Sequence, residues 1–212
     1  MINRLTPLQR AVADGFFSRE RRFVLTGGGA LVGFHLGHRE TADLDLFTSE
    51  RVLDEGGRVL REVALSLGAS LQARQTSPTF HRYVLRRGDE GVVVDLAWDD
   101  SARGSAPMHI GNVVLDGPDE IMANKLCTLL SRAELRDLVD VRALELAGTS
   151  IEQALILAQK KDAGLTPGQL AWVLSQIQIG DDARVPGGVS VADLRQFLAA
   201  LRGRMVATSL PK

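Results

Sequence analysis

A chain of 212 residues with a formal charge of -1, a mean hydropathy of +0.02 and 45% hydrophobic side chains can bury a core in one large domain or two small ones. The near-balance of charge excludes a dedicated, sequence-independent DNA binder, and the single cysteine, Cys127, excludes an intrachain disulfide or a zinc cluster. There is no long apolar run and the opening MINRLTPLQR has no apolar core, so a reducing, cytoplasmic location with no membrane partner is expected. Residues 1–117 hold 14 arginines, no lysine and 15 acids. With the three acids assigned to metal below set aside, that half is mildly basic and able to meet RNA.

Residues 6–19 read as a helix, with Thr6 as N-cap and Pro7 at the first helical position. A short apolar strand follows at 22–26, then Gly27-Gly28-Gly29 and a brief helix over 29–36 that Gly37 closes. DLDLF at 43–47 is a second strand whose leucines face away from Asp43 and Asp45, because strand side chains alternate with a period of two. Thr48 or Ser49 then caps a helix running to about Leu67, stopped by Gly68. Strand patterns recur at 69–74, 79–87 and 91–98, and the polar turn at 86–90 joins the last two as an antiparallel hairpin. One more strand, 110–115, precedes the Gly117-Pro118 break.

Beyond that break the pattern is helical throughout, over 118–132, 134–147, 150–162, 166–178 and 190–203, with a loop at 180–189 and a frayed tail at 210–212. The expected architecture is α+β: a mixed sheet with flanking helices over 1–117, then an all-helical domain over 118–212.

Chemistry concentrates in three carboxylates. Asp43 and Asp45 share one strand face, and Asp95 interrupts the apolar run Val92-Val93-Val94 and Leu96, where an unpaired charge is costly. If the 91–98 strand lies beside 43–47, the three converge on the volume of a magnesium pair, about 4 Å between ions. The plain alternatives are that Asp43 caps a turn, Asp45 pairs with Arg39 and Asp95 pairs with an arginine. The run Gly27, Gly28, Gly29 lets backbone N–H groups approach phosphate oxygens at the start of a helix. Gly27, Gly29 and Gly33 also spell a variant of the dinucleotide fingerprint. The following helix is too short for a βαβ crossover, and alternating strand–helix units are missing downstream.

A second cluster holds Asn124, Lys125, Arg132, Arg136, Asp137 and Asp140. Lys125 and Arg132 share a helix face, and Arg136 can reach Asp140 four residues on. Lys125 is the first lysine in an arginine-rich chain, which hints at a phosphate or catalytic role. His35, His38, His81 and His109 show no metal-ligand spacing, and Cys127 on an apolar helix face is expected to be buried and inert.

Three segments in order, GGGALVGFHLGHRETADLDLF, VVVDLAW and IMANKLCTLLSRAELRDLVDVRAL, resemble the AbiEii/AbiGii toxin family of nucleotidyltransferases, in the polymerase-beta-like superfamily. The resemblance covers about residues 20–147. It implies nucleotide-phosphate contacts at Gly27 and Gly28, with Arg39 nearby. It also implies metal ligation by Asp43 and Asp45, a triphosphate contact at Lys125, and an active-site wall completed by Asp137 and Asp140. Many relatives carry threonine or serine where this chain has Gly29, so a hydroxyl that could touch phosphate is absent.

The substrate implied by the resemblance is a nucleoside triphosphate with Mg2+, the acceptor in some members a tRNA end, and the partner a cognate antitoxin of a type IV toxin–antitoxin pair. The expected reaction is in-line attack of an acceptor hydroxyl on the α-phosphorus, with Asp95 orienting or deprotonating the acceptor. The rivals are a small, antibiotic-type acceptor and a non-catalytic nucleotide-binding relative.

Overall fold

The computed structural model describes residues 4–101 and 103–210. The chain divides into two compact units. One is built from the chain up to Ser101 together with Ala106–Gly117, the other from Pro118 onward together with a short stretch around Gly104.

The first unit begins with α1 (Pro7–Phe17). Thr6 Oγ1 accepts from Gln9 N at 3.1 Å and Gln9 Oε1 accepts from Thr6 N at 2.8 Å, a reciprocal cap that satisfies two otherwise orphaned donors. There follow β1 (Val24–Thr26), α2 (Gly27–Ala30) running into a π-helical turn at Leu31–His35, β2 (Asp43–Thr48) and α3 (Leu53–Ser66). The unit is completed by β3 (Ser70–Thr76), β4 (Phe80–Arg87), β5 (Glu90–Trp98), β6 (Met108–Ile110) and β7 (Val113–Leu115).

All seven strands form one sheet in the order β3-β4-β5-β2-β1-β7-β6. β2 runs parallel to β5 and antiparallel to β1, so the sheet is mixed. The antiparallel β1–β2 pair also removes the dinucleotide reading, which needs a parallel βαβ unit. Gly33 of that fingerprint serves packing instead: a Cβ there would lie 2.6 Å from Leu5 Cδ1.

Alternation on β2 decides which sheet face is core. Leu44 and Leu46, with Val94 and Leu96 of β5, are fully buried on the side where α1 and α3 pack. Burying each such side chain contributes roughly 1.5–3 kcal/mol. Asp43, Asp45 and Phe47 are half-exposed on the opposite face. The tandem Gly56-Gly57 brings α3 close to the sheet, since a Cβ on Gly56 would stand 2.8 Å from Phe23 Cζ and 2.9 Å from Leu96 Cδ1.

Several boundaries differ from the sequence reading. The helix expected at 29–36 starts two residues earlier, because Gly27, at φ +58°, turns the chain straight out of β1 into helix. Leu36 N and Gly37 N then both donate to Leu31 O, at 2.7 and 3.3 Å, and Gly37 leaves the helix at φ +60°. Thr48 does not cap α3. It ends β2 as a buried strand residue whose hydroxyl accepts from Glu50 N at 3.1 Å, and the helix begins at Leu53. The single strand expected at 110–115 is a hairpin, β6–β7, turning at Gly111 with φ +61°.

The second unit holds α4 (Pro118–Ser131), α5 (Leu135–Leu146), α6 (Ile151–Lys161), α7 (Pro167–Gln176) and α8 (Val191–Ser209), with a short 3-10 turn at Pro186–Gly188 inside the expected loop. Ile121, Leu126, Leu138, Leu144, Ile151, Leu170, Leu194 and Leu201 are its fully buried core. The last helix runs to Ser209, past the expected Arg202–Gly203 end. Of the expected frayed tail, Pro211 and Lys212 lie outside the described residues. Cys127 is half-exposed rather than buried, with its Sγ 3.7 Å from Ala158 O.

Candidate active site

The sheet register sets the three first-unit carboxylates on one face. Asp45 lies opposite Asp95 on β5, and opposite Thr26 on β1, while Asp95 lies opposite Arg82 on β4. Thr26, Asp45, Asp95 and Arg82 therefore form one row across four strands, and Asp43 stands two residues from Asp45 on the same face.

Each member of the row meets a different neighbour. Thr41 Oγ1 donates to Asp43 Oδ1 at 2.5 Å, and Gln9 Nε2 donates to Thr41 O at 2.8 Å, so the cap of α1 braces the turn that presents Asp43. Asp95 is 4% exposed and is gripped bidentately by Arg82, Nε to Oδ1 at 2.8 Å and Nη2 to Oδ2 at 2.6 Å. Hydrogen bonding to Asp95 raises the Arg82 guanidinium above its usual range. Burial opposes that rise, while the charges of Asp95, Asp43 and Asp45 add to it. The arginine alternative for Asp95 is thus realised. Among the described residues no group of three His, Cys, Asp or Glu side chains stands in metal-binding geometry.

Gly27 and Gly28 lie against the same row. A Cβ on Gly27 would run into the Asp45 carboxylate, and one on Gly28 would lie 2.8 Å from Thr41 Oγ1 and 3.0 Å from Arg39 Nη2. Any side chain here would push against the Asp45, Thr41 and Arg39 side chains. Arg39 is 5% exposed and donates from Nη1 to Glu40 O at 2.7 Å, which aims its guanidinium along the turn. Gly29 points elsewhere: a Cβ there would lie 3.1 Å from Leu44 Cδ2 and 3.2 Å from Leu25 Cδ1, on the core side.

The donor set fits a magnesium ion. Asp43 and Asp45 offer hard carboxylate oxygens side by side, the absence of side chains at Gly27 and Gly28 lets the backbone lie close against them, and the buried Thr26 hydroxyl next to Asp45 has no partner among the described residues.

The second cluster assembles inside the helical unit. Lys125 Nζ, on α4, lies 2.8 Å from Asp137 Oδ1 and 2.7 Å from Asp140 Oδ2, both on α5 and both fully buried. Arg132 adds Nε to Asp137 Oδ2 at 2.9 Å and Nη2 to Oδ1 at 3.1 Å. Two cations face two anions, which is what burial of this many charges requires. Burial alone would push the Asp137 carboxyl up. The Arg132 hydrogen bonds and the Lys125 ammonium outweigh it and hold the carboxyl below its ordinary range. Arg136 does not take Asp140, as its position four residues before had suggested; it pairs with Glu134 at 2.6 Å.

The sequence pattern over most of this chain is that of a nucleotidyltransferase. The chain belongs to the AbiEii family, described as nucleotidyl transferase AbiEii toxin of type IV toxin–antitoxin systems, whose pattern matches residues 12–206. JHP933 from Helicobacter pylori is similar at 21% identity and a TM-score of 0.64, over 93% of this chain and 88% of that one. MenT4, a nucleotidyltransferase toxin from Mycobacterium tuberculosis H37Rv, is similar at 18% identity and a TM-score of 0.62, over 96% and 83%. At such identities the likeness speaks for the fold. No protein of curated function matches the chain. Among the described residues no helix is long and apolar enough to cross a membrane.

Three residues beside the carboxylates escaped the sequence reading: Thr26, Thr41 and Arg82. Thr41 carried a local signal, two residues before Asp43, where a hydroxyl can bond a nearby side chain. Arg82 carried none, being one of 14 arginines in that half of the chain.

Proposed function

We propose that the chain transfers a nucleoside monophosphate from a nucleoside triphosphate to an acceptor hydroxyl, that the acceptor is a tRNA end, and that a cognate antitoxin restrains it. The observation that carries the reading is the pair Asp43 and Asp45, half-exposed side by side on one sheet face, with the Gly27–Gly28 backbone close against Asp45. Two adjacent carboxylates at a helix start repel phosphate unless a cation joins them. Asp43 and Asp45 would hold magnesium, which supplies Lewis-acid stabilisation of the phosphate charge when bound.

Backbone N–H groups of Gly27, Gly28 and Gly29 bind the phosphates, with the Arg39 guanidinium beside Gly28. Thr41 holds Asp43 in place. Asp95 stands on the acceptor side of the row and, through the Arg82 guanidinium it binds, orients the attacking hydroxyl. Within the helical unit, Asp137 and Asp140 fix the Lys125 ammonium in a single position. Pyrophosphate leaves as the acceptor oxygen attacks the α-phosphorus in line, and the acceptor's hydroxyl proton passes to solvent water.

Purified protein with magnesium, each labelled nucleoside triphosphate and either total tRNA or small hydroxylated acceptors tests this. Label should enter tRNA, and Asp45→Asn should reduce the rate by about 10²–10³-fold or more with circular dichroism unchanged. Full activity in that variant would falsify the assignment of Asp45. Label entering only small acceptors would replace tRNA with an antibiotic-type substrate. Absence of magnesium-dependent nucleotide binding would leave a non-catalytic relative.

A further inference from the structure

The third carboxylate of the row already has a cation. Arg82 lies directly opposite Asp95 in the β4–β5 ladder, and Asp95 directly opposite Asp45 in the β5–β2 ladder, so guanidinium and carboxylate pair follow one another across the sheet. Both Asp95 oxygens are taken by Arg82, at 2.8 and 2.6 Å. A two-cation centre needs lone pairs from the third carboxylate for its second ion. Here Arg82 takes one lone pair on each Asp95 oxygen in a fork–fork ion pair, and the carboxylate beneath it is 4% exposed, so the remaining lone pairs are covered.

A guanidinium keeps its charge at any pH at which proteins work, and it needs no uptake from solution. The Arg82 side chain is 46% exposed while that of Asp95 is 6% exposed, so the cation is presented outward and the anion beneath it is covered. The two bonds to Asp95 use Nε and Nη2, leaving the Nη1 donors for an oxygen arriving from solvent.

We propose that Arg82 is a catalytic residue that stands in for the second metal ion: Asp43 and Asp45 hold a single divalent cation, and Arg82, pinned by the positioning residue Asp95, supplies the other positive charge on the acceptor side. This rests on the nucleotidyl-transfer reading above. Asp95 then acts through Arg82, fixing its orientation, rather than as a metal ligand or a base. The Nη1 donors bond the acceptor's hydroxyl or its neighbouring phosphate oxygen and hold it in line with the α-phosphorus.

The test counts bound Mn2+ by electron paramagnetic resonance in the presence of a non-hydrolysable nucleoside triphosphate analogue. The wild type should bind one tight ion per chain, Asp45→Asn none, and Asp95→Asn still one. Arg82→Gln, which uncovers Asp95, should gain a second ion, and Arg82→Gln with Asp95→Asn should return to one. If Arg82→Gln fails to fold, the Asp95→Asn count still decides. Turnover should follow: Arg82→Gln lowers kcat by about 10²-fold with the KM for the triphosphate unchanged. Two ions in the wild type, one of them lost in Asp95→Asn, would overturn the proposal and leave nucleotidyl transfer standing. One ion in a folded Arg82→Gln would also overturn it. No ion in the wild type would overturn both readings together.

Discussion

Two of the buried charges at the candidate site and in the helical unit are resolved by partners more than ten residues away in sequence. Asp95 must have a cation because it interrupts an apolar strand, and it finds Arg82 on the neighbouring strand, 13 positions away. Lys125 must have anions because it is 6% exposed, and it finds Asp137 and Asp140 on the next helix. Removing one partner leaves the other uncompensated, so Asp137→Asn should destabilise the protein by about 3–5 kcal/mol. The pH dependence has a definite sign. The folded Asp137 carboxyl is held below its ordinary value, so its contribution is complete above the unfolded value of about 3.9 and is lost as pH falls toward the folded one. Denaturant melts of wild type and Asp137→Asn should therefore converge as the pH drops below about 4. A gap that stays constant down to pH 2 would show that Asp137 is not charged in the folded state.

Among the elements, α3 shows how packing can run against helix propensity. Adjacent glycines in a helix interior each cost about 1 kcal/mol relative to alanine, yet Gly56 and Gly57 let the helix lie against Phe23, Leu96 and the Tyr83 hydroxyl. Gly56→Ala gains propensity but forces a methyl into atoms under 3 Å away. The net effect should be a loss of about 1–2 kcal/mol, since overpacking costs about 1–3 kcal/mol, read from urea midpoints at unchanged slope. A stabilised Gly56→Ala would mean that the helix can withdraw from the sheet. The misread boundaries share a cause. Thr48 and Gly111 each suit two local structures, and pairing with a neighbouring strand chose between them: β5 extends β2 through Thr48, and β7 folds back on β6 at Gly111.

For the whole molecule, the two units can be followed separately, because each contains one of the two tryptophans. Trp98 lies in the first unit, under the Arg51 guanidinium at 4.0 Å, and Trp172 lies exposed on α7 of the second. In a Trp172→Phe background, fluorescence reports the first unit. Magnesium with a nucleoside triphosphate at 100 times its Kd should stabilise that unit by about 2.7 kcal/mol, raising its melting temperature by several degrees. Asp45→Asn should abolish the shift. An equal shift in that variant would place nucleotide binding elsewhere on the chain.

Alternation and glycine placement are local properties, and they made much of this protein legible in its sequence. The Asp43–Asp45 strand face, the glycine turn before it, the hairpin at 80–98 and the change to helix at Pro118 all follow from residues that lie close together in the chain. The order of motifs carried the family as well. What the sequence could not supply was the pairing of charges. Which of 14 arginines would meet Asp95 depended on strand register, and whether Lys125 would face solvent or two carboxylates depended on how α4 and α5 pack. Both are long-range contacts, set when whole strands and helices assemble. The carboxylate row came from the local code, and the cation that covers one end of it came from the tertiary fold.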